Sequence, residues 1–514
     1  MRSGGRNPYE SPWPGVLGGL VAVAAALLLR SLSGTRLLAE LVVDATTYLL
    51  QARGFSFLLS LFGAVGKPLL FLTVLALELL LYALAWRLLG ARVGRERGLL
   101  AGLATGALLA AALLVLAGLA LAGLPETGLG SQTTAAEYVL VTLFASLLYA
   151  AVAGLYAASA VETPAGEVAS SPSRRALLGR LPALALGGAA AILIGRGLLK
   201  SVGGGARASH AGKPTPEVTP TSDFYVVSKN LIDPALGAAS WRLRVGGLTR
   251  RMLELSYEDI LALPAVEQYA TLQCISNEVN GDLMSNAAWT GVPLRSLIEM
   301  AEPLSSAAYV SFRSADDYTE SLPLEVALRE GVLLAYAMNG EPLPDEHGFP
   351  LRLLVPGKYG IKNPKWLTEV ALLDEEALGY WEERGWSNEA RMKTTCRIDV
   401  PRSGRAVWES PLRIHGVAFS GDRGISRVEV SVDGGKEWRD AVLRPALSPY
   451  TWVLWYYDWT EAPPNGSVRI VARATDGAGR RQAEERSPPY PSGASGYPVV
   501  LALLRLPEET EGPR

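Results

Sequence analysis

The chain has 514 residues and a formal net charge of -2 at pH 7, so it is long enough for several domains and offers no general attraction to nucleic acid. Its two cysteines, Cys274 and Cys396, exclude a disulfide framework, although a single bridge between them stays open. No Cys/His cluster indicates zinc or iron–sulfur ligation. Apolar residues crowd the first 200 positions, whereas residues 210–514 have a mixed composition.

The first 200 residues predict an all-α transmembrane bundle of five or six helices, because apolar stretches of about 20 residues cross a bilayer as helices. Such stretches lie near residues 13–30, 67–89, 98–123, 135–160 and 176–199. Residues 37–65 are ambiguous, since charged and amide side chains interrupt the leucines. That region either spans imperfectly, re-enters the membrane or lies along its interface.

Basic residues orient this predicted bundle. Four arginines between Arg87 and Arg97 lie between two spans, and the next loop, near Glu126, has no Lys or Arg. The positive-inside rule then places residues after 200 on the extracytoplasmic side of the cell membrane. Residues 173–178, Ser-Arg-Arg-Ala-Leu-Leu, precede the last apolar stretch and look like a twin-arginine export signal. An ordinary positive-inside anchor is the alternative, and it predicts the same side.

A haem site within the predicted spans is excluded by the distribution of axial ligands. His210, His347 and His415 all lie beyond the spans, as does every methionine except Met1. The bundle is therefore expected to anchor the chain, to dock a partner or to approach a quinone.

Residues 201–221 are rich in Gly, Pro and Thr and predict a linker. After it, the alternation at 241–245 predicts a strand, and residues 255–261 predict a short helix capped by Ser256. Elements of both kinds continue to residue 395. Residues 222–395 are therefore predicted to form an α+β domain.

Cys274 carries the most informative chemistry of this domain, because a thiolate is a strong, soft metal ligand. It lies in Leu-Gln-Cys-Ile-Ser-Asn-Glu at 272–278, and the segment continues to Trp-Thr-Gly-Val-Pro-Leu at 289–294. This stretch resembles the metal-binding loop of the sulfite oxidase family of molybdenum enzymes. A buried, inert cysteine is the alternative.

The most specific likeness to that family runs from residue 334 to residue 366. It includes Met-Asn-Gly-Glu-Pro-Leu-Pro, His-Gly-Phe-Pro-Leu-Arg and Gly-Lys-Tyr-Gly-Ile-Lys-Asn-Pro-Lys-Trp. A pterin with a phosphate tail needs fixed donors, and cations around a Gly/Pro loop supply them. The candidate cations are His347, Arg352, Lys358, Lys362 and Lys365. Ordinary solvated charges are the alternative.

The resemblance implies further cofactor-binding residues. Asp-Phe-Tyr-Val at 223–226 resembles the motif that lines the family's pterin pocket, which gives Phe224 and Tyr225. The family's following Arg-Asn-His is Val-Ser-Lys here, so Lys229 is either a cation for the phosphate or a surface lysine. Asn277, three residues after Cys274, completes this set.

Tyr318, in Ala-Asp-Asp-Tyr at 315–318, is similar to the tyrosine that the family presents at the metal. A phenol at that position donates a hydrogen bond or a proton to the oxygen being transferred. The resemblance therefore implies a catalytic role for Tyr318 beside Cys274. An amphipathic tyrosine at a domain edge is the alternative.

Residues 396–505 predict an immunoglobulin-like β-sandwich, followed by a tail at 506–514. Alternating strands lie at 412–419, 426–432, 450–456 and 468–474, and turns such as 433–435 separate them. The segment 425–438 resembles the dimerisation domain of the same family. A homodimer is implied by that likeness alone.

The resemblance implies an extracytoplasmic, membrane-anchored enzyme in which Cys274 and one molybdopterin bind molybdenum. Oxygen-atom transfer is expected, with electrons exchanged with an external cytochrome or quinone. Sulfite-oxidising members place arginines soon after the cysteine, whereas this chain has Glu278, whose carboxylate repels an anion. The sequence therefore favours S-oxide or N-oxide reduction.

Three other functions stay open for this sequence. One is a sulfite oxidase or dehydrogenase, and another is a non-catalytic, membrane-tethered binding module. The third is a transporter with a sensor domain, which no repeated broken helices support.

Overall fold

The computed structural model describes residues 13–33, 37–39, 42, 66–89, 98–122, 135–159, 214–230, 233–407, 410–461 and 466–505. The chain forms two compact units. The first is helical and comprises Met1–Gly203 with Lys229–Ile232, and the second comprises Gly204–Ser228 with Asp233–Arg514.

The helical unit contains α1 (Trp13–Ser33), α2 (Gly66–Leu89), α3 (Gly98–Ala122) and α4 (Ala135–Ser159). Its core includes Trp86 and two aromatic rings, Tyr82 and Tyr149, whose centroids lie 4.8 Å apart. The Tyr149 hydroxyl donates a hydrogen bond to the Tyr82 carbonyl at 3.1 Å. Gly18 lets α1 approach α4, since a Cβ there would lie 2.8 Å from the Tyr149 ring.

Four of the five apolar stretches of the first 200 residues are helices, as predicted. Within the part of the chain that the structure describes, no helix is both long enough and apolar enough to cross a membrane. The prediction of membrane spans is therefore not confirmed. The predicted span at 176–199, the twin-arginine-like segment at 173–178 and the tail at 506–514 lie outside the described residues.

Two sheets form the α+β domain, and the first has the strand order β2–β1–β10–β5–β6. These strands are β1 (Leu243–Gly247), β2 (Leu253–Leu255), β5 (Tyr309–Ser314), β6 (Thr319–Pro323) and β10 (Leu367–Leu373). Only β1 and β10 pair in parallel among these strands. The domain's helices are α5 (Tyr257–Ala262), α6 (Leu294–Met300) and α7 (Leu324–Ala327). The predicted cap of α5 is confirmed, because Ser256 Oγ accepts a hydrogen bond from the Asp259 amide.

The second sheet positions the cysteine loop. Its strands are β3 (Val266–Gln273), β4 (Met284–Pro293), β7 (Leu333–Met338), β8 (Glu341–Pro342) and β9 (Arg352–Leu354). β3 and β4 are antiparallel, with Gln273 opposite Met284, so residues 274–283 form the connection between them. Two single-turn 3-10 helices, Asp345–His347 and Gly360–Lys362, lie on either side of β9 in the chain.

The carboxy-terminal region is a β-sandwich, as predicted. One sheet contains β11 (Thr395–Val400), β13 (Leu412–Phe419), β16 (Val442–Leu443) and β17 (Val453–Trp459). The other contains β12 (Gly404–Val407), β14 (Ile425–Ser431), β15 (Arg439–Asp440), β18 (Gly466–Asp476) and β19 (Val499–Arg505). Alternating apolar side chains such as Ile414, Val428 and Ile470 fill the space between the sheets, together with Trp455.

Residues 214–221, predicted as part of a linker, are fixed by hydrogen bonds to both domains. Thr219 donates its amide hydrogen to the Asn286 carbonyl at 2.8 Å. Thr215 Oγ1 donates to Asp399 Oδ2 at 2.6 Å, and Trp452 Nε1 donates to the Glu217 carbonyl at 3.1 Å. This part of the chain is therefore a strap that joins the α+β domain to the sandwich.

Loss of the buried carboxylate of Asp399 is expected to destabilise this junction strongly. Arg397 Nε lies 2.7 Å from Asp399 Oδ1, and the two side chains are 2% and 0% exposed. Asp399→Ala leaves the guanidinium buried without this partner, which lowers the free energy of unfolding by about 3 kcal/mol. Calorimetry measures the change against Asp440→Ala, whose exposed pair with Arg427 contributes little. Equal shifts in the two variants would contradict the assignment.

Candidate active site

Cys274 follows β3 directly and is held in a tight loop. Its amide donates to the Leu283 carbonyl at 3.0 Å, and its carbonyl accepts a hydrogen bond from the Asn277 amide at 3.0 Å. The sulfur lies 3.0 Å from Ser276 Oγ. Neither Cys274 nor Cys396 is in a disulfide, so the bridge that the sequence left open does not form. The Cys274 thiol is therefore available as a metal ligand.

The side-chain oxygen of Asn277 stabilises this loop through a hydrogen bond within it. Oδ1 of Asn277 accepts a hydrogen bond from the Leu283 amide at 2.9 Å. A Cβ on Gly281 would lie 2.5 Å from the same oxygen, so glycine is required there. The contact of Asn277 with a cofactor stays a prediction, while its amide oxygen fixes the loop that carries Cys274.

Three tyrosine hydroxyls lie within electrostatic range of the Cys274 sulfur. Burial raises the pKa of Tyr225 and Tyr318 well above the usual value, and a negative charge on Cys274 raises both further. Burial also raises the pKa of Tyr359 to about 12, again with a contribution from Cys274. These three phenols are therefore neutral at pH 7.

The turn at 360–362 brings this group together. Tyr318 donates its hydroxyl hydrogen to the Ile361 carbonyl at 2.6 Å. A Cβ on Gly360 would lie 3.2 Å from the Tyr225 hydroxyl and 3.8 Å from Cys274 Cα, so the backbone of the turn lies directly against the cysteine loop. Tyr318 and Cys274, predicted separately from distant segments, are joined through this turn.

Arg352 is a buried cation without a carboxylate. Nη1 donates to the His347 carbonyl at 2.9 Å, and the guanidinium lies 5.1 Å from the centroid of Trp289. Nε has no hydrogen-bond partner, and the side chain is buried. Burial lowers the pKa of Arg352 to about 10. A buried guanidinium that bonds only to carbonyls is unfavourable by itself, so this position favours an anionic ligand.

His347 lies beside Arg352 and is neutral. Burial, followed by the charges of Arg352 and Lys365, lowers the pKa of His347 to about 3. Nε2 lies 3.3 Å from the Thr221 carbonyl, an acceptor, so we assign the ring hydrogen to Nε2. The Phe224 ring packs edge-on against the imidazole with a centroid distance of 5.3 Å.

Phe224 also packs against two other aromatic rings of this region. Its ring centroid lies 5.5 Å from that of Tyr225 and 5.5 Å from that of Trp289. The predicted set Phe224, Tyr225, His347 and Arg352 is therefore one contiguous group in the structure.

The other predicted lysines have different surroundings. Lys365 Nζ donates to the Glu346 carbonyl at 2.9 Å and lies 4.1 Å from the centroid of Trp366, while burial lowers the pKa of Lys365. Lys358 Nζ donates to the Glu389 carbonyl at 2.6 Å. Lys229 belongs to the helical unit, where it donates to Asn230 Oδ1, and its role stays a prediction.

Lys362 does not present its ammonium group to an anionic ligand, contrary to the prediction. Nζ lies 2.5 Å from Glu320 Oε1 and 3.1 Å from Glu382 Oε1. It also donates to Asn388 Oδ1 at 2.8 Å and to the Ser321 carbonyl at 3.4 Å. Its donors are used inside the protein, because two buried carboxylates compete for the same cation.

Known families match both domains. Residues 230–381 match the oxidoreductase molybdopterin binding domain, and residues 390–487 match the Mo-co oxidoreductase dimerisation domain. Sulfite oxidase of Gallus gallus is 32% identical over 320 residues, which cover 53% of this chain and 69% of that protein. The chain belongs to the sulfite oxidase family of molybdopterin-dependent oxidoreductases.

Other members of the sulfite oxidase family are similarly related to the chain. Mitochondrial sulfite oxidase of Homo sapiens is 32% identical over 318 residues, or 51% of this chain and 58% of that protein. An uncharacterized oxidoreductase of Bacillus subtilis, YuiH, is 34% identical over 203 residues, or 40% of this chain and 96% of that protein. The chain spans 58–60% of the length of its mammalian relatives. The sulfane dehydrogenase SoxCD of Paracoccus pantotrophus gives a TM-score of 0.46 at 26% identity over 53% of this chain and 76% of that chain.

The residues present fit the molybdenum–molybdopterin cofactor that this family implies. Cys274 supplies a thiol outside any disulfide, and sulfur is the ligand type that a thiophilic metal prefers. Arg352 supplies a buried Nε–H without a partner, and Lys365 supplies a second cation that bonds only to a carbonyl. These donors suit the phosphate of a pterin. Neutral His347 lies beside these cations without adding charge.

Sequence analysis missed Arg423, which the sandwich contributes to this side of the site. Nε donates to Asp476 Oδ2 at 2.9 Å, whereas the buried Nη1 makes no hydrogen bond. The charge of Arg423 lowers the pKa of Tyr359, the residue on which Cys274 also acts. The signal available in the sequence was Gly-Asp-Arg-Gly at 421–424, whose glycines have φ values of 67° and 65°. Such glycines indicate a tight loop, but not the domain that the loop contacts.

Arg352→Met is expected to lower the retention of molybdopterin. Hydrogen bonds to charged groups contribute about 1.5–3 kcal/mol each, so affinity should fall at least about tenfold. Molybdenum and pterin per polypeptide are measured after gel filtration. Arg444→Met, at an exposed position, is the control and should keep both. Equal cofactor content in the two variants would refute the assignment of Arg352.

His347 is expected to make the protein acid-sensitive. Its pKa is about 3 when folded, below the usual 6.5, so the unfolded chain takes up a proton first as the pH falls. This contribution is complete above pH 6.5 and is lost progressively towards pH 3. Between pH 7 and pH 5 the wild type should lose about 2 kcal/mol more stability than His347→Gln. Urea unfolding at both pH values measures the difference, and an identical loss in both proteins would contradict it.

Proposed function

We propose that the chain oxidises a small sulfur oxyanion, with sulfite as the substrate to test first, and passes the electrons to an external one-electron acceptor. The observation that carries the proposal is the Cys274 thiol, which lies among three neutral phenols with the cation Arg423 acting on one of them. The related proteins named above support the choice of sulfite, since several are sulfite oxidases.

Glu278 is the residue for which the sequence favours S-oxide or N-oxide reduction. The structure weakens that preference. Glu278 is exposed, so water and salt screen its charge. Arg423 is mostly buried, with a side chain 11% exposed, and its field is screened much less. Asp476 compensates part of the Arg423 charge, so local charge alone does not select between an anion and a neutral substrate, and the related sulfite oxidases favour sulfite. Reduction of a neutral S-oxide or N-oxide becomes the second candidate.

The bound molybdenum cofactor would supply two-electron oxygen-atom transfer. Cys274 would be the protein ligand to the metal, and Arg352, Lys365 and His347 would hold the pterin. The oxidation of sulfite by water gives sulfate, two protons and two electrons. Protons and electrons must therefore both leave the site.

Residues on the substrate side would orient the oxyanion. Arg423 offers Nη1 to an oxygen of the substrate, because that group has no other hydrogen bond. Tyr225, Tyr318 and Tyr359 stay protonated at pH 7 and would donate to oxygen atoms near the sulfur of Cys274. In this structure the Tyr318 hydrogen is directed to the Ile361 carbonyl, so its donation requires a small rotation of that hydroxyl.

Two features of the assembly belong to the same proposal. The match of residues 390–487 to a dimerisation domain supports a homodimer through the sandwich. The external acceptor is proposed to be a cytochrome or a quinone, since the described residues contain no cluster that could hold a further metal.

Cys274→Ser is expected to abolish turnover of sulfite with an oxidised dye as acceptor. Loss of a residue that only hydrogen-bonds to a metal ligand lowers metal affinity or activity by about 10- to 100-fold. Loss of the metal ligand itself should therefore lower activity more than about a hundredfold. Cys396→Ala, in the sandwich core, is the matched control and should keep activity.

The same preparations are assayed in the reductive direction with methionine sulfoxide and with an N-oxide, using a reduced dye. Turnover of these substrates without turnover of sulfite would replace the proposal with the second candidate. A protein that contains no molybdenum and turns over none of these substrates would support the non-catalytic binding module.

A further inference from the structure

Glu320, Glu382 and Lys362 form a buried cluster with more acidic than basic groups. Lys362 Nζ lies within 3.1 Å of both carboxylates, and the side chains are at most 1% exposed. The cluster combines β6, the 360–362 turn and the segment after β10. A Cβ on Gly379 would touch both carboxylates, which shows how closely the glutamates approach one another. We call these three residues the acid–lysine triad.

The number of hydrogen-bond donors in the triad is too small for two ionised carboxylates. Lys362 has three N–H groups, and it donates them to Glu320 Oε1, Asn388 Oδ1 and the Ser321 carbonyl. Both oxygens of Glu382 and Oε2 of Glu320 have no hydrogen-bond partner, although all three are buried. Lys362 Nζ, within 3.1 Å of both carboxylates, balances one negative charge, so a second ionised carboxylate loses its solvation without compensation. One added proton supplies the missing donor and makes the triad neutral.

The surrounding charges agree with a retained proton. Burial raises the pKa of Glu320 well above its usual value, and Glu382 raises it further, while Lys362 opposes both effects. Tyr318 is also close, and its pKa is raised by burial and then by the two glutamates. A second cation, Lys358, is near enough that the charge of Lys362 adds to burial in lowering its pKa, but its ammonium group donates to the Glu389 carbonyl and it is not among the main charges that act on Glu320.

The triad lies between the site and the surface. Tyr318, two residues before Glu320 on the same strand, is acted on by Glu320, Glu382, Asp316 and Cys274 in that order. On the other side, Asn388 accepts from Lys362 and donates through Nδ2 to Glu376 Oε1 at 2.7 Å. Glu376 is exposed. Hydrogen bonds thus connect the buried triad to solvent while its charge acts on the cysteine side.

We propose that the acid–lysine triad is a proton-holding site that keeps one proton at neutral pH and releases it when the metal site at Cys274 loses an electron. The balance is one for one. An external one-electron acceptor removes one electron, the triad releases one proton to solvent near Glu376, and the buried charge is unchanged. The inference rests on the family's redox cofactor, but not on the identity of the substrate.

Infrared spectroscopy of the full chain with ¹³C-labelled glutamate tests the retained proton without any substrate. At pH 8 ordinary glutamates are ionised, so a protonated carboxyl band reports the triad. We expect one such carboxyl in the wild type, none in Glu320→Gln or Glu382→Gln, and two in Lys362→Met. Glu389→Gln, at an exposed position, is the control and should keep one. Absence of the band in the wild type, or its persistence in both Gln variants of the triad, overturns the inference.

The coupling to the metal site is tested on the holoenzyme by redox difference spectra, with dyes setting the potential. One-electron oxidation should remove the protonated carboxyl band in the wild type and in Tyr318→Phe, which keeps the triad. It should change nothing in Glu382→Gln. A band of equal intensity in both redox states overturns the coupling. Neither measurement uses sulfite. Both would therefore still test the triad if the proposed oxidation of sulfite proved wrong.

Discussion

The buried guanidinium of Arg352 is the constraint on which the site depends. It has no carboxylate at hand, and its contacts are two backbone carbonyls and the Trp289 ring. A cation in that position is stable only if the surrounding fold holds it firmly or an anion compensates it. The His347 segment does the first through its carbonyl, and a pterin phosphate would do the second. The fold is thus arranged around a charge that the protein alone leaves unpaired.

The acid–lysine triad has the opposite imbalance. There Glu320 and Glu382 share one ammonium group, so the surplus charge is negative. In a medium of low dielectric constant, a surplus of positive charge and a surplus of negative charge near a redox centre both affect its reduction potential. They also couple its oxidation to the release of a proton. Arg352 and Cys274 both act on Tyr225, whereas the two glutamates and Cys274 act on Tyr318. These two neutral phenols therefore lie within electrostatic range of the thiol and of one of the two unlike charges each.

Local sequence predicted the identity of the site more reliably than its contacts. Phe224, Tyr225, His347 and Arg352 come together as expected, because each motif is a short segment that folds as one piece. Lys362 was assigned by its place in a basic run, yet its partners come from residues 320 and 382. A spacing pattern along the chain carries no information on such long-range pairs. The same reason explains why Arg423, from another domain, was missed.

Glu278 and Arg423 carry charges of opposite sign and differ in their exposure to water. Glu278 is close to Cys274 in the chain, and Arg423 is 149 positions away, so sequence reasoning weighed only the glutamate. In the fold the glutamate is exposed, whereas the arginine is fixed by Asp476 beneath Tyr359. Screening by water lowers the effect of the first charge, and burial preserves that of the second. The Glu278 carboxylate is therefore too well screened to argue strongly against an anionic substrate, while Asp476 compensates part of the Arg423 charge.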